Sequence, residues 1–243
     1  MAYAAPVQNG ATAAYTQTFA PSTTAEDTVK TYTFEEGGAV RAHSAAFGMI
    51  NELELKGDRE KVEVSGSVIA RALTDGITLT ASPTEIVGVP IEGDQVQITA
   101  DGTSGGLGTT VLTRVLEWSW KYGGKFLPVW AVNSANTSFV DKVEAAPPAM
   151  LNLTLEGDAT GMGYLSTLRA GDTKFVRIKA VGALIASTFY YTLQIDMAVK
   201  VSEVLKLEDK DGVYATKVAL HAVHDAGWAK ALTIALTNTI VSL

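Results

Sequence analysis

The sequence predicts a mainly β protein built around one large domain. Long segments, such as 213–223 and 228–238, alternate apolar and polar residues, and this period of two is typical of a strand with one buried face. Short clusters rich in Gly, Asp and Asn separate these segments and predict turns. Helical patterns are confined to 65–74 and 164–170, so we expect at most one or two short helices.

The composition is that of a folded chain with an acidic balance. The chain has 243 residues, of which 47% are hydrophobic, and a chain of this length buries well over half of its unfolded surface. A formal net charge of −7 argues against a protein that grips nucleic acid by neutralising phosphates. The sequence contains no cysteine, which excludes disulfides, zinc–thiolate sites and thiol catalysis.

The first residues differ in character from the rest. Residues 1–27 are small and polar and predict an extended arm that is ordered only where it docks, whereas 28–243 predicts a single β domain. The first basic residue is Lys30, so we predict no signal peptide. The apolar run 181–186 is far too short to span a bilayer, and we expect no membrane contact.

The strands of the first half begin with 28–34, which is β-branched and aromatic. Segments 49–56 and 60–67 flank a Gly-Asp-Arg turn and predict a hairpin. In its first strand Ile50, Glu52, Glu54 and Lys56 share one face, while Met49, Asn51 and the leucines share the other. This pattern indicates a sheet with one face packed against the core and the other face exposed to solvent.

The remaining strands follow at regular intervals. We predict strands at 94–100, 110–122, 125–133, 150–155, 174–180, 189–199, 201–207, 213–223 and 228–238. The segment 139–150 contains Pro147 and Pro148 and therefore cannot be a central strand.

No set of residues in the sequence is typical of a catalytic or metal site. His221 and His224 are three residues apart, which places them on opposite faces of a strand, and His43 is isolated. Nucleophile-elbow, zinc-protease and Cys/His motifs are all missing from the sequence. We therefore predict a protein that is not an enzyme and that uses no cofactor or metal.

Two segments have partial motifs. Asp209 and Asp211, with Glu208 beside them, resemble the start of a calcium loop, but Leu220 occupies the position of the bidentate Glu. A turn between strands is the favoured interpretation, and a weak calcium site is the alternative. The Gly-rich segment 101–108 has no Lys before its Thr residues and leads into a strand, so it predicts a flexible loop and not a phosphate cradle.

Aromatic residues are concentrated around 118–130. Trp118, Trp120 and Tyr122 share one face of a predicted strand. A sugar-binding or base-stacking platform is one interpretation, but such rows in large β proteins are more often core or subunit interface. The candidates for core or interface are Trp118, Trp120, Tyr122, Phe126, Trp130 and Trp228.

Three segments are distinctive in order and spacing, namely W-S-W-K-Y-G-G-K-F-L-P-V-W at 118–130, S-F-V-D-K-V-E at 138–144 and the segment 211–238. Through them, from about residue 28 onward, the chain resembles the major tail-tube proteins of long-tailed, siphovirus-like bacteriophages. It implies a β-sandwich or half-barrel with a flanking short helix. It further implies hexameric rings, closed by a continuous inner barrel of strands and stacked into a hollow tube.

The resemblance also implies partners and a place of action. These are further copies of the chain, a tail tip or baseplate, a tape-measure protein, a tail terminator and double-stranded DNA that passes without sticking. We expect a virion protein that is assembled in the host cytoplasm, in a non-contractile tail. Segments 1–27 and 134–149 are the candidates for contacts between rings.

The acidic composition suggests which face would line such a tube. We hypothesise that a charged face lines the lumen, and the candidates are Glu52, Glu54, Glu60 and Glu63. An ordinary solvated outer face explains the same residues equally well. Two other functions stay open, namely a different virion β protein, such as a decoration or tail-tip protein, and a small-ligand-binding β-barrel.

Overall fold

The computed structural model describes residues 2–22, 27, 29–83, 85, 88–124, 126–132, 138–145 and 149–241. This part of the chain is mainly β, with sixteen strands and one α-helix. The helix has only twelve residues, and no described helix is long and apolar enough to cross a bilayer.

The strands, in chain order, are β1 (Ala2–Gln8), β2 (Tyr15–Ala20), β3 (Tyr32–Gly37), β4 (Ala42–Gly57), β5 (Val62–Ile69), β6 (Ala72–Asp75), β7 (Val96–Asp101), β8 (Val115–Gly123), β9 (Phe126–Val129), β10 (Asp141–Glu144), β11 (Ala149–Glu156), β12 (Thr173–Ala186), β13 (Phe189–Val204), β14 (Glu208–Lys210), β15 (Val213–Ala222) and β16 (Leu232–Asn238). The helix α1 spans Ala159–Ala170 and lies between β11 and β12.

Fourteen of these strands form one antiparallel sheet, and β9 and β10 form a separate two-stranded sheet. The main path runs β1-β2-β16-β13-β15-β11-β8-β4-β3. The long strand β13 connects its two halves, because its first part pairs with β12 and β16 while its last part pairs with β15. On the far side of β12 the sheet continues to β7.

The core follows from the alternation along the strands. Register places Ile98, Ile178, Ile195 and Ile234 in one row across four neighbouring strands, and all four side chains are buried. In the other half of the sheet, Leu151, Leu153 and Leu155 of β11 lie on the buried face and Met150 points outward. Both sets belong to a single apolar cluster, so the two halves of the sheet share one core.

The helix confirms one prediction and β5 overturns another. Asp158 caps the N-terminus of α1 by accepting hydrogen bonds from the backbone N–H groups of Thr160 and Gly161, both at 2.9 Å. Tyr164 is buried on the core, and burial raises its pKa to about 12. The predicted helix at 65–74 is wrong, because this segment forms β5 and β6. In β5, which begins before this segment, Val62, Val64 and Val68 are separated by even numbers of residues, which favours a strand.

The N-terminal segment differs from the expected extended arm. Within 1–27, β1 and β2 form a hairpin, and β2 pairs with β16, so this part of the chain extends the sheet. The strands predicted at 189–199 and 201–207 are one continuous strand over most of their length, β13. Val199, Val201 and Val204 keep pairing with β15 across an irregularity, which explains the missing turn.

Candidate interaction surface

A long ribbon of strands extends from the edge of the sheet. Its first strand, β4, is sixteen residues long and pairs with β5 over residues 49–57 and with β6 over residues 43–46. On its other side β4 pairs with β8 near the core and with β3 farther out. We call β4, β5 and β6 the ribbon. We call the outer part of this structure the distal sheet; it consists of β3, β6 and, between them, residues 42–46 of β4.

One face of the ribbon carries most of the predicted lumen residues. Register places Glu52, Glu54 and Glu63 on the same face, and Ser65 and Ser67 of β5 lie directly opposite the first two. Glu60 lies in the turn between β4 and β5 and not on a strand. The structure therefore brings three of the four candidates together.

Each of these three carboxylates has a lysine partner. Lys121 Nζ lies 2.8 Å from Glu52 Oε1, and Lys56 Nζ lies 3.2 Å from Glu54 Oε1. Lys61 forms an ion pair with Glu63. The face is therefore charged but electrically balanced, and exposed pairs of this kind add little to stability.

The opposite face of the ribbon is apolar and uncovered. Ile50 pairs with Val68, and Leu55 pairs with Val64, so these side chains continue the core face of the sheet. The prediction that Ile50 shares the face of Glu52 is wrong, because the register shifts between these two residues. Leu55 is buried, but Val64, one strand farther out, is 67% exposed, and Ile50 and Val68 are also exposed. Contiguous exposed apolar side chains of this kind mark interaction surfaces.

The distal sheet also has one open face. Phe34 of β3 and Leu73 of β6 both lie opposite Ala45 of β4, so the three side chains form a row. Leu73 is 72% exposed and Phe34 is exposed as well. On the other face Glu35 accepts a hydrogen bond from the backbone N–H of Thr80 at 2.7 Å, which places a chain segment there.

Both outer edges of the distal sheet lack a neighbour in the described residues. No described strand pairs with the outer side of β3 or of β6. Neither strand contains proline, and neither contains lysine. Proline and lysine are two of the features that keep a free edge from pairing with other chains, although β3 does carry Glu35 and Glu36 and β6 carries Asp75.

The ribbon bends where the distal sheet begins. Phe47 has a φ of 58°, which is the left-handed region that aromatic residues avoid. The register between β3 and β4 shifts at this point, and Arg71 lies over the Phe47 ring at 5.9 Å. A register shift of this kind bends the strand that carries the extra residue.

The predicted aromatic set divides between core and surface. Trp118, Trp120 and Tyr122 of β8 are buried in the main core, and Phe126 is buried in a small cluster with Met49 and Phe139. Burial, the largest cause, and the nearby Glu144 carboxylate raise the pKa of Tyr122.

The other two aromatic candidates lie nearer the surface. Trp130 is 67% exposed and contacts Phe139 edge to face. Trp228 is half-buried against Phe175. The structure therefore brings the three residues of β8 together in the core, and it leaves Trp130 on the surface.

The hairpin of β9 and β10 presents a second apolar surface. Leu127 and Val143 lie opposite each other and are both exposed. This hairpin covers part of the segment 134–149 that was predicted to contact other rings. Residues 134–137 and 146–148 of that segment lie outside the described residues.

The residues with partial motifs do not form a metal site among the described residues. Asp209 Oδ1 accepts a hydrogen bond from the backbone N–H of Gly212 at 3.1 Å, as in a simple turn. His221 lies in β15 and His224 lies beyond its end. The described part of the chain contains no group of three or more His, Asp or Glu residues placed to hold a metal ion.

The Gly-rich loop is ordered by a buried carboxylate and is not the flexible loop that was predicted. Asp101 accepts hydrogen bonds from the backbone N–H groups of Gly108, Thr109 and Thr110 at 3.0–3.2 Å. Burial acts to raise the pKa of Asp101, but these bonds and the Thr110 hydroxyl outweigh it and lower the pKa below its ordinary value.

An arginine beside this loop is fixed on β12. Arg177 Nε donates to Asp196 Oδ1 at 2.7 Å, and its terminal nitrogen donates to the second oxygen at 3.0 Å. A Cβ atom on Gly108 would lie 2.7 Å from this guanidinium, so the loop passes directly over it. The network links β7, β12 and β13 and gives the loop a structural role.

One cavity of about 700 Å³ lies at the end of the core near the turn between β4 and β5. Its lining is mixed: Val96, Leu112 and Val115 are apolar, while Arg59 and Lys179 are charged. This volume is within the range of small-molecule sites.

Sequence reasoning missed the exposed apolar residues of the ribbon. The alternation in 62–69 indicates that Val64 and Val68 share a face, but it does not indicate that this face is uncovered. No protein-family model matches the sequence, and no curated protein matches it. The geometry of the ribbon therefore carries the functional interpretation.

Proposed function

We propose that this chain is the structural subunit of a hollow tube, the tail tube of a long-tailed bacteriophage. In this proposal six copies form a ring, and the rings stack head to tail into a conduit for DNA. The role is structural, and no catalytic step is part of it.

The two-faced ribbon is the observation that carries the proposal. A strand that lines a water-filled lumen needs a polar face toward the lumen and an apolar face toward protein. Glu52, Glu54 and Glu63 lie on one face of the ribbon, and Ile50, Val64 and Val68 lie uncovered on the other. A solitary subunit leaves these apolar side chains in water, whereas a neighbouring copy would bury them.

The charge balance of the polar face suits the passage of DNA. A surface holds duplex DNA when its lysines and arginines neutralise phosphates and release counterions. Lys56 of β4, Lys61 of the turn before β5 and Lys121 of the neighbouring strand β8 are each paired with a glutamate of this face, so they offer no unpaired positive charge. DNA would therefore slide past this face without being retained.

The packing of the core supports the sandwich or half-barrel architecture in this proposal. Both halves of the sheet bury their inner faces in one cluster, and α1 packs beside them through Tyr164. This arrangement is compatible with a sandwich or half-barrel that has a flanking helix. The hairpin face of Leu127 and Val143 and the N-terminal hairpin are the surfaces that we assign to contacts between rings.

The proposal assigns partners to the two open ends of such a tube. Stacked rings leave one free face at each end, which a tail tip or baseplate and a tail terminator would cover. A tape-measure protein would occupy the lumen before DNA does. The protein would act in the virion after assembly in the host cytoplasm, in a non-contractile tail.

Negative-stain electron microscopy of the concentrated protein tests the proposal. We expect tubes of uniform width with an axial repeat, with or without a nucleating tail tip. A matched variant, Val64→Glu with Val68→Glu, should fold as a monomer and fail to form tubes, because charge replaces the apolar face. Tubes of unchanged yield from this variant would contradict the role of the ribbon. A closed trimer of the unmodified chain would favour a decoration or tail-tip protein.

A second candidate function is binding of a small molecule in the 700 Å³ cavity. Leu112 and Val115 offer apolar contact there, and Arg59 and Lys179 offer charge. Calorimetry with small apolar carboxylates checks this function. Micromolar binding by a stable monomer that never forms tubes would favour it over the tube.

A further inference from the structure

We propose that the outer edge of β6 in one copy pairs, in parallel, with the outer edge of β3 in a second copy of this chain. This inference rests on the proposed function, and it names the strands that close the ring. It is carried by the directions of the strands, their free backbone groups and the side chains beside them.

The directions of the two strands determine the kind of pairing. Both β3 and β6 are antiparallel to β4, so they run in the same direction on opposite sides of the distal sheet. A rotation about an axis parallel to the strands leaves the strand direction of every copy unchanged. The edge of β6 in one copy therefore meets the edge of β3 in the next copy in parallel. Repetition of this head-to-tail contact closes a ring.

The free backbone groups of β6 follow from its pairing with β4. The backbone N–H of Gly76 donates to the carbonyl of Ala42 at 2.9 Å, so these two residues form a hydrogen-bonded pair. Such pairs alternate along an antiparallel ladder. The backbone N–H and C=O groups of Leu73 and Asp75 therefore point away from β4, toward the free edge.

The same alternation identifies the free groups of β3. The backbone N–H of Gly38 donates to the carbonyl of Arg41 at 3.0 Å, just beyond the end of β3. The backbone groups of Glu35 and Gly37 therefore point outward. Each edge thus offers donors and acceptors at alternate residues, as a parallel ladder requires.

The side chains match across the proposed junction. Phe34 and Leu73 lie at the same level because both lie opposite Ala45. Pairing at this level places Leu73 of one copy beside Phe34 of the next, and the apolar row then continues around the ring. This contact buries two exposed side chains without any change in the fold of either copy.

The next level of the junction brings two carboxylates near each other. Glu36 and Asp75 both lie opposite His43. Arg41 Nε donates to Asp75 Oδ1 at 2.9 Å, and His43 Nε2 lies 3.7 Å from Glu36 Oε2. The Arg41 pair offsets the negative charge at this level, so the repulsion does not oppose the apolar contact.

A cysteine pair in the otherwise cysteine-free chain tests the junction. Thr33→Cys and Ala72→Cys are combined in one chain. They place one thiol on β3 and one on β6, each one residue before the row formed by Phe34 and Leu73. Parallel pairing brings these Cα atoms within the distance that a disulfide spans. Under oxidation we expect a ladder of covalent oligomers up to a closed ring. The control, Ala72→Cys with Ser166→Cys on α1, should give none.

A proline variant tests the backbone bonds separately. Leu73→Pro removes an outward N–H and leaves the bonds to β4 in place. We expect the unassembled variant to have an unchanged circular dichroism spectrum. Its yield of tubes should be about tenfold lower than that of Leu73→Ala. Equal yields from the two variants would contradict edge pairing.

The outcomes separate this inference from the proposed function. Tubes without a disulfide ladder would overturn the β3–β6 junction and leave the tube intact. A disulfide ladder that ends at a trimer would support the junction and overturn the hexameric tube. A wild-type chain that stays monomeric at millimolar concentration, with a tail tip present, would overturn both.

Discussion

The indole Nε1 of Trp120 donates a hydrogen bond to the sulfur of Met197 at 3.1 Å. Trp120 lies on β8 and Met197 lies on β13, and both side chains are completely buried. The contact joins the half of the sheet that carries the ribbon to the half that carries the N-terminal hairpin. The position of the ribbon therefore depends on the packing around Trp120.

Substitution of Trp120 should destabilise the protein much more than the same change at the surface. Trp120→Ala leaves a large cavity, and we expect a loss of about 3–5 kcal/mol in the free energy of unfolding. Trp130→Ala is the control, because that side chain is 67% exposed, and it should cost less than about 1 kcal/mol. Urea unfolding followed by circular dichroism measures both, and similar losses would contradict the assigned burial.

A methyl group at Gly57 should disturb the packing of Trp118. A Cβ atom there would lie 2.5 Å from the indole Nε1, so the ring or the turn between β4 and β5 must move. We expect Gly57→Ala to cost about 1–3 kcal/mol and to change the near-ultraviolet circular dichroism. Gly38→Ala is a matched control, since a Cβ atom at Gly38 meets nothing within 4 Å. Thermal unfolding of the two variants checks the difference.

Removal of the Asp101 charge should lower stability at neutral pH and have little effect in acid. The folded protein lowers the pKa of Asp101, so its stabilising contribution is present above the unfolded value, about 3.9. That contribution disappears as the pH falls through the lower, folded pKa. We expect Asp101→Asn to cost about 1–3 kcal/mol at pH 7, and the difference from wild type should shrink below about pH 4. Urea unfolding across this pH range measures it, and a constant difference would contradict the mechanism.

Glycine should be preferred over alanine at position 47. Phe47 has a φ of 58°, where a residue with a side chain is strained and glycine is not. Phe47→Gly and Phe47→Ala both lose the ring, so their difference reports the strain at this φ, less the loss of one methyl group and the greater freedom of glycine in the unfolded chain. We expect the glycine variant to be more stable by about 1 kcal/mol. An alanine variant of equal or greater stability would show that the bend relaxes when the ring is removed.

Added positive charge on the polar face of the ribbon should make assembled tubes retain DNA. Ser65→Lys with Ser67→Lys places two further lysines opposite Glu54 and Glu52, which already pair with Lys56 and Lys121, so the balanced face gains a net positive charge. Tubes of this variant should bind short duplex DNA at low salt and release it as the salt concentration rises. Met162→Lys on α1 is the control for added charge elsewhere. Equal DNA binding by both sets of tubes would place the face outside the lumen.

The local pattern predicted most strands and residues 164–170 of the helix α1, because a period of two or of 3.6 can be recognised from neighbouring residues alone. The hairpin around residues 57–59 was predicted from its turn residues and the alternation on either side. The pairing of β2 with β16 was not predicted, because it joins residues that lie more than 200 positions apart in the sequence. The helix predicted at 65–74 failed for the same reason, since pairing with β4 decides the state of that segment.

By itself the sequence determined a mainly β chain with an acidic balance, no cysteine and a face carrying Glu52 and Glu54. These properties depend on composition and on the order of neighbouring residues. Only the tertiary structure decided that Trp118 and Trp120 are core, that each of these glutamates has a lysine partner and that Val64 and Leu73 are uncovered. The burial of a residue depends on what packs against it. Distant segments of the chain either pack there or leave the residue exposed, where another molecule can bind.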